Sequence, residues 1–146
     1  MMKFIGVIFF ALCLLGCRTE ISPLVAGSVI DGGLFLGKYT INPLDKPPKS
    51  WSLSKNQLEK MDAWIRLHQQ DWQMALASPP PPSYSILLTH KDGSRSQINL
   101  YSLNENWQHA IHISVFDRDG KFISGGEMSI ASAEISSLMQ LLSEVG

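Results

Sequence analysis

Apolar and aromatic side chains fall at Leu58, Met61, Trp64, Ile65, His68, Trp72, Ala75 and Leu76, three or four residues apart, as one face of an α-helix requires. Just upstream, Ser54 can cap the first helical amides and Gln57, three residues on, can return the bond. Leu53 and Leu58 sit where a hydrophobic staple would place them. The spacing predicts a helix over 55–77. A second stripe, Ile135, Leu138, Met139 and Leu142 after a capping Ser132, predicts another helix towards Gly146.

Between these stripes the period changes to two. Segments 84–90 and 94–103 flank Lys91-Asp92-Gly93, and segments 110–117 and 121–128 flank Arg118-Asp119-Gly120. A three-residue loop with glycine last suits a type I turn that ends in a left-handed residue. In that register Ile86 lies opposite Ile98 and Val115 opposite Ile123. Ile86, Leu88, Ile98 and Leu100 then share one face, as do Ile111, Ile113, Val115 and Ile123. Earlier in the chain, 28–30 and 34–41 read as two strand-like runs around an Asp31-Gly32-Gly33 turn. Pro79 to Pro82 lack backbone donors and fix φ, so 78–83 reads as a stiff connector. The joint solution is a two-layer α+β domain: an antiparallel meander sheet of about four to six strands with two helices on one face.

The first residues obey neither period. Lys3 supplies one positive charge, and residues 4–15 follow without a charge or a polar amide. Those twelve residues fall short of the roughly 20 that a transmembrane helix needs. A charged start and a short apolar run are the pattern of a secretory signal. The run closes on Leu14-Leu15-Gly16-Cys17, which resembles the lipobox of bacterial lipoprotein precursors. Leu14 matches the aliphatic position, Gly16 the small residue before the cut and Cys17 the lipidated residue, while Leu15 departs from the commoner small residue. The likeness covers residues 1–17 alone.

The resemblance implies that 1–16 is removed, that the Cys17 sulfur carries a diacylglycerol, and that 17–27 tethers a single domain over 28–146. Each buried methylene contributes about 0.8 kcal/mol, so two or three acyl chains hold firmly where one binds marginally. Arg18 stands where the family commonly uses Asp for inner-membrane retention, so the implied location is the outer membrane, facing the periplasm. Of the two cysteines, Cys13 would leave with the signal and Cys17 would be acylated, so the domain would rest on its core without a disulfide.

Without Lys3, eleven of the twelve basic residues remain against thirteen acidic ones, which gives neither a nucleic-acid footprint nor a polybasic membrane patch. His109-Ala-Ile-His112 resembles a metal pair in spacing, but residues three apart on a strand face opposite ways. With no free cysteine left to complete a zinc set, no metal and no cofactor is expected. His68 lies on the helix stripe and reads as a histidine at a core edge. Asp117-Arg118-Asp119-Gly120 places its glycine too early for a calcium loop. No G-x-S-x-G elbow or phosphate-cradling glycine loop occurs in the chain. Tyr101, opposite in parity to Ile98 and Leu100, and Trp107, in a polar loop, are expected at the surface as partner-binding aromatics. The expected function is that of a lipid-anchored envelope protein with a non-catalytic protein-binding domain, for example an inhibitor or immunity protein against an envelope-targeting toxin or hydrolase. An envelope assembly lipoprotein and a small hydrolase of unrecognised geometry are the alternatives.

Overall fold

A computed structural model describes residues 29–37, 52–75, 78–102 and 104–143. The signal-like stretch with Gly16 and Cys17, the tether, and residues 38–51, 76–77, 103 and 144–146 lie outside the described residues. The elements are β1 (Val29–Leu36), α1 (Lys55–Leu67), β2 (Tyr84–His90), β3 (Arg95–Leu100), β4 (Ala110–Phe116), β5 (Phe122–Ser129) and α2 (Ser132–Ser143). The five strands form one antiparallel sheet in chain order, β1-β2-β3-β4-β5. The fold is α+β.

The period-two pattern explains the core. Ile86, Leu88, Ile98, Leu100, Ile111, Ile113 and Val115 alternate inward along β2, β3 and β4 and are buried. Met61 and Ile65 of α1 join the same apolar cluster, and so do Ile135, Leu138 and Leu142 of α2. Gln57 fastens the helices to each other. Its backbone amide donates to Ser54 Oγ (3.3 Å), its Oε1 accepts from the Ser54 amide (2.8 Å), and its Nε2 donates to the Leu141 carbonyl (3.0 Å). The predicted capping box is thus present, and the same glutamine is buried with its amide satisfied at both ends.

Three expectations change. The helix does not run to 77: α1 closes at His68, whose amide donates to Trp64, and the chain turns so that Gln73 exchanges two 2.8 Å backbone bonds with Glu127 of β5. Trp72 is still buried, edge-on to Trp64 at 6.4 Å, but a turn brings it there and not a helix face. The bonds to β5 replace those that a longer helix would have made.

Asp31-Gly32-Gly33 is not a turn. It lies inside the single strand β1, paired with Thr89, Leu88 and Leu87. A Cβ on Gly32 would stand 2.8 Å from Leu88 Cδ2 and 3.0 Å from the Leu87 carbonyl, so close approach to β2 is what excludes a side chain there.

The third change concerns β5. Val115 lies opposite Ser124 and not Ile123, because the register shifts by one residue between Val115 and Phe116. Ile123 is the extra residue of a bulge and is half exposed at 50 %. The unbulged register would have set Glu127 opposite Ile111 on the apolar face. With the bulge, Met128 takes that place and is buried, while Glu127 turns to His112.

Candidate functional site

Two regions near the end of β5 gather polar and aromatic side chains. The first holds both predicted binding aromatics. Tyr101 follows β3, Trp107 sits in the β3–β4 loop and His112 lies on β4. Their rings form a triangle with centroid separations of 5.8 Å (Tyr101–Trp107), 5.4 Å (Tyr101–His112) and 5.6 Å (Trp107–His112). The loop is pinned by hydrogen bonds from the Trp107 amide to the Asn104 carbonyl and from the Ala110 amide to the Trp107 carbonyl.

Tyr101 is not a surface residue. It is 1 % exposed, and burial pushes its phenol up to about 12, with the Asn99 side chain pulling the other way. Opposite parity to Ile98 takes it off the main core but not into solvent, since Trp107 and His112 pack against it. Trp107 is half-buried. Burial lowers the His112 pKa below the ordinary value against the pull of Glu127, whose Oε2 lies 3.4 Å from His112 Nε2.

The second region is a half-open cleft of about 690 Å³ between the 68–74 segment and the β5–α2 junction. His68 stands in its wall, 8 % exposed. Asp71 Oδ2 lies 2.7 Å from its Nδ1, and Glu134 Oε1 lies 2.5 Å from its Nε2. The second approach is out of line with a ring N–H, so it is a close contact and not a directed hydrogen bond. Trp72, Met74, Met128 and Ile130 supply apolar lining, and among the described residues no Lys or Arg lines the cleft. The chain matches no protein-family model, no curated protein and no solved structure.

The remaining histidines also have partners. His90 Nε2 is 2.7 Å from Ser96 Oγ, with both side chains buried, and burial lowers the His90 pKa against Asp92 and Asp62. His109 Nδ1 is 3.2 Å from Ser132 Oγ on the surface. Neither His90 nor His109 lines the cleft, and nor does His112. Among the described residues no group of three or more His, Cys, Asp or Glu could hold a metal ion. Asp117, in the segment whose early glycine argued against a calcium loop, accepts the Asp119 and Lys121 amides on Oδ1 (2.9 and 2.8 Å) and so braces its own turn.

Sequence reasoning missed the cleft. Asp71 follows His68 by three residues inside the segment expected to be helical, and nothing in the sequence links either to Glu134. The polar run Gln69-Gln70-Asp71 inside an otherwise apolar stripe was the available signal.

Proposed function

We propose that this is a lipid-anchored cell-envelope protein whose α+β domain binds another protein and carries no catalysis of its own. The observation that carries the binding half is Trp107: half-exposed, in a loop closed by backbone bonds, with Tyr101 and His112 against its ring. A large aromatic held in place before binding loses little freedom on association, which is the character of an interface hot spot. The anchoring half rests on Leu14, Gly16 and Cys17, and the outer-membrane, periplasm-facing location on Arg18. Within this reading an inhibitor or immunity role against an envelope-attacking toxin or hydrolase is the version we favour, with envelope assembly as the alternative. A toxin-like or an assembly-machine reading frame beside the gene would distinguish them.

Affinity capture with the full chain identifies the partner, and binding is then measured with Trp107→Ala. The expected loss is about 1–4 kcal/mol with an unchanged melt. Tyr101→Ala should instead lower the melt, because its ring is buried against Trp107 and His112. Unaltered affinity for Trp107→Ala would remove the interface from this loop. For the anchor, Cys17→Ser should abolish incorporation of labelled lipid, and a variant that still carries lipid would refute the lipobox assignment.

A further inference from the structure

The cleft carries a chemistry of its own. His68 Nδ1 bonds Asp71 Oδ2 while its Nε2, without a hydrogen bond of its own, faces Glu134 Oε1, which leaves Asp71 Oδ1 and Glu134 Oε2 without a partner among the described residues. Two carboxylates against one imidazole, with no Lys or Arg in the lining among the described residues, make the cleft a place for a cation. Trp72, Met74 and Met128 beside them suit a flat, weakly hydrated cation on an apolar stem, which describes guanidinium better than ammonium. A guanidinium fork can also satisfy two carboxylate oxygens at once.

The cleft is linked to the Trp107 loop through one residue of β5. Glu127 touches both regions: its backbone pairs with Gln73 in the cleft wall, and its side chain meets His112 beneath Trp107. We propose that the cleft receives an arginine side chain of the protein partner, clamped between Asp71 and Glu134, with His68 as the residue that positions Asp71. This rests on the protein-binding reading and adds the chemistry of the partner.

The test uses the full chain in uncharged detergent micelles and an acetylated, amidated pentapeptide with one arginine between leucines. Calorimetry gives the affinity, and the amide resonances of Gln73 and Met128 report where the peptide sits. The same peptide with citrulline for arginine, which keeps the shape and loses the charge, should bind roughly tenfold more weakly or worse. Asp71→Asn with Glu134→Gln should abolish that difference. The citrulline comparison on the unaltered chain stands even where the double variant fails to fold.

Equal affinity for the two peptides, or no movement of those amides up to about 10 mM peptide, would overturn the proposal. So would a lysine peptide that binds more tightly than the arginine one, or free argininamide that binds as tightly as the peptide, which would assign the cleft to a small cation. A captured partner that binds the double variant normally but Trp107→Ala weakly would discard the cleft and leave the protein-binding reading standing.

Discussion

The β2–β3 and β4–β5 hairpins share one loop and differ one pair beyond it. In the first, the Gly93 amide donates to the His90 carbonyl (2.9 Å) and the His90 amide to Ser94 (2.9 Å). In the second, Gly120 donates to Asp117 (3.0 Å) and Asp117 to Lys121 (2.9 Å). Both glycines are left-handed, with φ of 84° and 81°. From there β2 and β3 pair without interruption from Thr89↔Arg95 to Tyr84↔Leu100, whereas β4 and β5 pair Phe116 with Phe122 and then skip Ile123. The loop therefore fixes only its own closure. Register farther along belongs to the side chains, and in β5 a bulge is the lesser cost beside burying Glu127 and exposing Met128.

Deletions should break this comparison most sharply. Removing Gln97 from the regular strand turns one half of β3 onto the wrong face, and the expected loss exceeds about 4 kcal/mol, seen as loss of the cooperative melt. Removing Ile123 makes Phe116↔Phe122 and Val115↔Ser124 successive regular pairs, so its melt should stay within about 1 kcal/mol of the native value. Equal damage from both deletions would show that the bulge is required and not merely tolerated.

Truncation is the next largest contrast. Ile98→Ala, at a fully buried position of the regular hairpin, should cost about 2–5 kcal/mol by denaturant titration. Ile123→Ala should stay within about 0.5 kcal/mol, as for other surface substitutions. Smaller and equal effects are expected where the hairpins agree: Gly93→Ala and Gly120→Ala should each cost about 1–2 kcal/mol, since each forces a Cβ into the left-handed region. Inequality there would mean that the loops differ in a way their backbone bonds do not reveal.

The smallest effect is on pH dependence. His90 and His112, one in each hairpin, are both lowered by burial, so the unfolded chain takes up protons more readily than the folded one. Their contribution is fully present above about pH 6.5 and is lost as pH falls from there through the folded-state values. Melts across about pH 5 to 8 should slope downward in acid, and His90→Gln and His112→Gln should each flatten part of the slope. A slope that neither variant changes would place the acid loss on carboxylates.

Period and the Ser54–Gln57 box made most of the fold legible: the regular hairpin with Ile86 opposite Ile98, both three-residue loops and the second helix follow from local pattern. Ser132 is not the cap of that helix, since the Ala131 carbonyl takes its first amides and Ser132 Oγ faces His109. The misread places are those where tertiary contact decides. Gly32 marks an approach of two strands and not a turn, and β5 draws the chain out of the helix after His68. The bulge could have been foreseen, because Glu127 and Met128 have the wrong parity for an unbroken ladder from Gly120. The ring triangle was half legible, as Trp107 and Tyr101 were named but not their contact. The His68 clasp was not, because Glu134 reaches it only through the packing of α2.

The glutamine that joins the two helices has a consequence in time. From β2 to β5 the chain folds back on itself hairpin by hairpin, so those pairings are local and close quickly. The Gln57–Leu141 bond instead spans 84 residues. On a chain that emerges from its amino end, α1 can begin with its cap in place, yet the far side of the Gln57 amide stays unanswered until the final helix arrives. Variants at Gln57 should therefore speed unfolding while leaving the early rate of hairpin assembly untouched.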